Sequence, residues 1–366
     1  MATGDWSSLP AELVDAISSR LCTDADQVHV HQVCSHWRAS TSPLAAPRPW
    51  VVAGRTLNKS HAWNGPASSF SLWLPRGRKP VDVQAPDHLL LCCGAPHGWL
   101  ALADDTRSPT RFSLWEPISR RAIPLPCLRD VMQVFLSADP SSSENWVALA
   151  IQRKGTGRLY WRPGDSSWKK LSHQYYYSVC PYNSFAFHQG RGYLTDMQGY
   201  IFGYDFNLGN GNATPQRTCT FGARDALIRF DSWHRGHALR VVACDDDLLI
   251  VGISNWWERP RTARVFSVTM RGNTAGLGEQ VTNLGEYSLF LGWRDAFALS
   301  ANAFPGIKRN HVYFLENGQL EGLLWEHQAG CPGPLPTAGE FPARCYPGVR
   351  SPARVRLPWW PLAADD

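Results

Sequence analysis

Five side chains of metal-binding type, Cys22, His29, His31, Cys34 and His36, fall within fifteen consecutive positions. Zinc needs four ligands converging tetrahedrally, commonly supplied as closely spaced pairs. Helical spacing sends Cys34 to the same side as Val30 and Trp37, an apolar face, while His29 and His36 fall elsewhere. Cys92, Cys93 and His97 do no better, because adjacent residues of a strand point to opposite faces. No metal site is predicted. Nucleophile and phosphate motifs are missing as well: there is no G-x-S-x-G elbow, no P-loop and no H-E-x-x-H. Gly272, Gly276 and Gly278 lie in a turn-rich stretch with no helix after them, so they do not form a dinucleotide fingerprint. Asp104-Asp105 and Asp245–Asp247 read as turn carboxylates. No catalytic residue and no cofactor is expected.

Two further sets could bind without doing chemistry. The 17 tryptophans could stack on a sugar or a single-stranded nucleic acid, but they are scattered from Trp6 to Trp360, which favours packing. Arg344, Arg350, Arg354 and Arg356 make the most basic local stretch, with no acidic residue between 341 and 361. A solvated edge strand explains it better than a nucleic-acid site.

The elements that must carry these residues follow from composition. The chain has 366 residues, 44% apolar and 18% charged, enough apolar material for a core and too few charges for a disordered chain. Glycine (30) and proline (27) make up about 16% of it, against a typical ~12%. Both residues break helix interiors, so a helical bundle is excluded and many short strands are favoured. The net charge of +5 is mild and does not by itself point to nucleic acid. Arginines number 30 and lysines 6; since arginine stacks well on tryptophan, part of that excess is read as structural.

Ten cysteines occur with no Cys-x-x-Cys pair, and the opening MATGDWSSLPAELVDAI has neither a basic nor an apolar leader region. Reduced cysteines, unmodified sequons at Asn58 and Asn212, and a cytoplasmic or nuclear location are therefore expected. The longest apolar runs, Leu89–Cys93 and Leu248–Ile253, are far short of the ~18 residues of a membrane span, so no membrane partner is expected.

Only the first forty-odd residues read as helical. Pro10 suits a helix start, Glu12 and Asp15 favour the positive end of the dipole, and Leu13, Val14, Ile17 and Leu21 form one apolar stripe. A second start lies at Asp24, with Gln27 in capping-box spacing. Val30, Val33, Cys34 and Trp37 then follow at i, i+3, i+4 and i+7. The run TSPLAAPRPW (41–50), with three prolines, ends the helical stretch as a linker. Beyond it, short apolar runs alternate with turn clusters: Gly98–Ala103, Phe112–Trp115, Trp146–Ile151, Arg158–Trp161, Tyr200–Phe206, Leu239–Cys244, Leu248–Ile253, Ala263–Met270 and His311–Leu315. Asp245–Asp247 and Asn317-Gly318 read as hairpin turns. Residues 45–362 span 318 positions, and four-stranded blades take about 40–50 residues each, so the pattern predicts a β-propeller of six to eight blades. A large sandwich or irregular barrel is the alternative.

Two resemblances sharpen this reading. SLPAELVDAISSRL…VHQVCSHWRAS, over residues 6–42, resembles an F-box, the helical module that docks on a Skp-type adaptor. The likeness rests on Leu9-Pro10, the Leu13/Ile17/Leu21 stripe, Val33-Cys34 and Trp37-Arg38. It departs from the pattern at Gln27, where a leucine is usual, and His29 and His31 flank Val30, a polarity that would lower adaptor affinity. The blocks HGWLALADD (97–105), LWEPISRRAIPLP (114–126), LYWRPGDSSWKKL (159–171), FAFHQGRGYLTDMQGYIFGYD (185–205), LFLGWRDAFALSANAFPGIKRNHVYFLEN (289–317) and LPWWP (357–361) resemble, in order, plant F-box proteins with a KIB-type β-propeller.

The resemblance implies a mainly β chain, an F-box over 1–45 and a propeller over 46–366. It further implies a substrate receptor that joins a cullin through the adaptor and presents a target protein it does not identify. Adaptor contacts would come from Leu9, Pro10, Leu13, Ile17, Leu21, Val33, Cys34 and Trp37. Two alternatives stay open: a propeller enzyme acting on a carbohydrate or small metabolite, and an adaptor-independent scaffold with a decayed F-box.

Overall fold

The computed structural model describes residues 6–324 apart from 22–23, 42–50, 57–66, 74–80, 85, 90, 95, 106–107, 118, 153–156, 172–181, 197–198, 207–212, 224–237, 255–261, 272–273, 293–295, 304–306 and 317–318. The described chain divides into two compact units, the first ending at Arg129 and the second starting at Asp130. The basic stretch around Arg344–Arg356, the LPWWP block and most of the proline linker lie outside the described residues.

The first unit opens with a 3-10 turn, Trp6–Ser8, and three helices: α1 (Ala11–Ser19), α2 (Asp24–Val33) and α3 (Ser35–Ala39). Pro10 caps α1, its carbonyl accepting from the amides of Leu13 and Val14 at 3.0 and 3.1 Å. The face expected to run unbroken through Val30, Val33, Cys34 and Trp37 is interrupted. Cys34 is extended (φ −160°, ψ 173°), and its sulfur accepts the Trp37 amide at 3.4 Å, starting a new helix. That break lets Val30 and Trp37 meet Val14 in a small core, with Leu9, Leu21 and Cys34 against it. Burying an apolar side chain of this size stabilises by about 1.5–3 kcal/mol, and three such residues are enough to seat short helices.

Two sheets follow in the first unit. One is three-stranded, β1 (Val51–Thr56), β2 (Ala67–Trp73) and β3 (Val81–Gln84); the next is β4 (Leu91–Cys92), β5 (Leu100–Ala103), β6 (Phe112–Trp115) and β7 (Ala122–Pro124). The guanidinium of Arg121 lies over the buried Trp99 ring, 5.9 Å from its centre.

The second unit stacks four sheets. They are β8 (Val131–Leu136), β9 (Ala148–Gln152), β10 (Arg158–Trp161) and β11 (Lys169–Lys170); β12 (Tyr182–His188), β13 (Arg191–Asp196), β14 (Tyr200–Asp205) and β15 (Gln216–Gly222); β16 (Ala238–Cys244), β17 (Asp247–Ser254), β18 (Thr262–Arg271) and β19 (Thr274–Val281); and β20 (Tyr287–Leu291), β21 (Ala296–Ser300), β22 (His311–Glu316) and β23 (Gln319–Leu324). The first three are antiparallel meanders. The fourth runs β21-β20-β22-β23, with β20 and β22 parallel.

The described residues thus hold five four-stranded blades rather than six to eight. Their first strands begin at Leu91, Val131, Tyr182, Ala238 and Tyr287, 40 to 56 residues apart, so several blades take more chain than the arithmetic allowed. The first sheet uses further chain for only three strands.

In the second unit, period-two alternation sends successive side chains to opposite neighbours. Leu239 and Val241 pack toward the β12–β15 sheet, whereas Ala238, Val242 and Cys244 pack toward the β20–β23 sheet. Both faces are covered, which is why strands such as Leu248–Ile253 read as unbroken apolar runs.

Buried arginines tie the sheets together. Arg240, with no exposed surface, donates from Nε to the Gly292 carbonyl at 2.9 Å and from Nη1 to the Leu239 carbonyl at 2.8 Å. Arg162 donates to the carbonyls of Phe206 (2.6 Å) and Ala213 (2.8 Å) while lying over the Tyr160 ring.

Gly276 and Gly278, read from sequence as turn residues, sit inside β19. A Cβ at Gly278 would come within 3.1 Å of the Ser267 carbonyl oxygen on β18, so glycine permits the close approach.

Candidate adaptor-docking module

The helices at the N-terminus present the most unusual surface among the described residues. Six large hydrophobic side chains are exposed, and four of them, Trp6 (69%), Leu13 (52%), Ile17 (38%) and Val33 (53%), belong to this short module. Leu13 and Ile17 are one turn apart on α1 and share a side, while Val14 between them turns into the core. Folded domains leave single apolar residues exposed without consequence; here four of them fall within one short module.

The module is held from inside by hydrogen bonds between its ends. Trp37 donates from Nε1 to the Trp6 carbonyl at 2.8 Å, and His36 donates from Nε2 to the Leu9 carbonyl at 2.7 Å. Arg38 donates from Nε to the His31 carbonyl at 3.0 Å, and the Thr41 hydroxyl lies 2.9 Å from His31 Nε2. Two of the three histidines therefore have partners within the module.

The expected contact residues separate into three groups. Leu13, Ile17, Val33 and Pro10 are exposed; Leu9, Leu21 and Cys34 are half-buried; Trp37, at 8% exposure, is the module's own core. Trp37 can shape a docking face but offers it almost no surface. Trp6 was not singled out by sequence; its signal was an aromatic residue three positions before Leu9-Pro10. Of the polar departures, His31 is buried, Gln27 half-buried and His29 exposed.

The residues weighed for chemistry take structural places. Cys22 lies outside the described residues, and among the described residues no three His, Cys, Asp or Glu side chains are grouped to hold a metal ion. Asp104 and Asp105 organise the loop between β5 and β6. Asp104 accepts the Thr110 amide at 2.9 Å and also its hydroxyl, and Asp105 accepts the Ser108 amide at 2.9 Å. Burial pushes the Asp104 carboxyl up, but hydrogen bonds from Thr110 and Arg111 outweigh it and hold the group below its ordinary value.

Asp245-Asp246 forms a two-residue turn between β16 and β17, closed by the Cys244–Asp247 pair. Burial, together with the nearby Asp245, Asp247 and Glu286 carboxylates, pushes the Cys244 thiol up to about 12, so it is not a nucleophile at neutral pH. Among the described residues no helix is long and apolar enough to cross a membrane.

Comparisons with known proteins agree with this architecture. The chain is similar to two proteins of Arabidopsis thaliana, F-box protein At2g17690 (25% identical, covering 94% of this chain and 98% of that one) and F-box protein At2g26160 (20% identical, covering 87% and 97%). The solved β-propeller domain of Myceliophteria thermophila Cps50 (Swd1) aligns at 9% identity with a TM-score of 0.39, over 78% of this chain and 81% of that one, too distant a likeness to argue from. The profile of the KIB1-4 β-propeller matches residues 69–333, which spans β2 through β23. By that match the chain belongs to the KIB1-4 β-propeller family.

Proposed function

We propose that this chain is the substrate-receptor subunit of a Skp–cullin–F-box ubiquitin ligase, acting in the cytoplasm or nucleus. The helical module, within residues 1–45, docks on a Skp-type adaptor and through it joins a cullin. The propeller, over the rest of the chain, holds a target protein. The observation that carries this reading is the set of exposed apolar side chains Trp6, Leu13, Ile17 and Val33 on a module whose own core is already closed by Val14, Val30 and Trp37. The F-box names of the curated relatives support it.

The contribution is positional, and no residue of the chain makes or breaks a bond. Two binding surfaces on one chain hold a target near a charged ubiquitin-carrying enzyme, which raises the effective concentration of the acceptor lysine to the millimolar range typical of tethered groups (~mM). Docking buries the exposed apolar set, the helix-in-groove mode of recognition.

Co-purification tests it. The full-length chain is expected to capture a Skp-type adaptor in mild salt, and Leu13→Asp with Ile17→Asp is expected to abolish capture while the fold persists. If the intact chain captures no adaptor of this class, the reading is wrong and the decayed-F-box scaffold takes its place.

A further inference from the structure

At one end of the second unit, two hairpin turns from neighbouring sheets meet. The first, Gln189-Gly190, joins β12 to β13, and both residues have the positive φ (47° and 75°) of a tight two-residue turn. The second, Asp245-Asp246, joins β16 to β17. Gln189 donates from Nε2 to the Asp246 carbonyl at 3.3 Å, and His188, the last residue of β12, hydrogen-bonds to the Asp246 backbone. His188 is 9% exposed, whereas Asp245, Asp246 and Asp247 are all exposed. On its far side the same turn is tied to the next sheet, the Tyr287 hydroxyl donating to the Asp245 carboxylate.

We propose that His188 is a proton-operated release for the Asp245–Asp247 turn: neutral, it seals the turn against β12; charged, it lets the turn go. The groups around it set the direction. From β13, Arg191 stands directly opposite in register, with its side chain hydrogen-bonded to Tyr193. From the β16–β17 turn come the Asp246 and Asp247 carboxylates, which favour a charged imidazole. Asp245 is engaged by Tyr287, whose hydroxyl also feels the Glu286 carboxylate.

Burial of a side chain only 9% exposed is the largest effect and holds the ring below its ordinary value. Against it stand the hydrogen bond to the Asp246 backbone and those two carboxylates, all of which favour the charged ring. A group depressed in the closed form keeps the closed form at full stability above the open form's value. That stability is lost as the pH falls through the closed form's value. Acidification therefore favours separation of the turns, where water can solvate the imidazolium.

Backbone hydrogen exchange of the full chain tests this at Cys244–Leu248, corrected for the intrinsic pH dependence of exchange. Between about pH 7.5 and about pH 5.5 protection is expected to fall several-fold, bounded near tenfold by uptake of one proton. In His188→Gln the fall should vanish at these amides while β9 is unchanged. An equal fall in that variant overturns the proposal. Should His188→Gln not fold, Asp246→Asn with Asp247→Asn, both at exposed positions, removes the carboxylates that favour the charged ring. The fall is then expected to deepen, and a fall that is unchanged or shallower overturns the proposal as well.

Discussion

The indole nitrogen of Trp37 donates to the backbone carbonyl of Trp6 at 2.8 Å, so the residue that fills the helical core also fixes the turn leading into it. Stability and docking in this module are consequently separable. Trp37→Ala is expected to lower the module's stability by roughly 3–5 kcal/mol, the range for emptying a buried aromatic site. Trp37→Phe, which keeps most of the packing and loses the hydrogen bond, should cost about 1 kcal/mol beyond its volume change. Limited proteolysis of residues 6–41 in the full chain reads both. Trp37→Ala should lose adaptor capture together with protease resistance, whereas Leu13→Asp with Ile17→Asp should lose capture alone.

Arg240 gives a second measurement. Its guanidinium, fully buried, serves the carbonyls of Gly292 and Leu239 at 2.9 and 2.8 Å. Arg240→Met preserves apolar bulk but leaves those carbonyls without their charged donor, at about 1–3 kcal/mol for each group. Denaturant unfolding of the full chain should show a loss of roughly 2–6 kcal/mol. A variant as stable as the parent would mean that the buried charge is retained for specificity of sheet pairing instead.

Asp104 sets a pH dependence in the first unit. Its carboxyl is held below its ordinary value, so its contribution is complete above that value and lost as the pH falls through the lowered one. Protection of the Thr110 amide is therefore expected to fall on acidification below about pH 4. Thr110→Val removes the hydroxyl donor and should move that fall to higher pH, while Asp104→Asn should remove the dependence. An unmoved transition in Thr110→Val would show that the side-chain hydrogen bond does not control it.

The runs that could be read from sequence were those whose chemistry is local. Phe112–Trp115 and Arg158–Trp161 were bounded by turn residues and form β6 and β10 over those same residues. The helix starts near Pro10 and at Asp24 were legible from the residue types found there. The shared face of Val33 with Val30 and Trp37 did not hold, because periodicity assumes a continuous helix and Cys34 is extended. Thr274–Val281 was hidden by Gly276 and Gly278, whose role depends on a neighbouring strand. In the docking module, the apolar stripe alone grouped Val14 with Leu13 and Ile17, since an amphipathic stripe does not say which edge turns to the core; it was the F-box resemblance that left Val14 out of the expected contacts.

The parallel pairing of β20 with β22 affects how the chain is made. A meander can zip up hairpin by hairpin as each strand emerges, using contacts close in sequence. The last sheet cannot do so. Its β21 must first fold back to the edge, and β20 must wait with one side open until the crossing segment 301–310 delivers β22. Closing that loop is entropically dearer than forming a hairpin, and the open edge is meanwhile a template for pairing with another chain. Biosynthesis is thus most exposed to misassembly while that edge stands open.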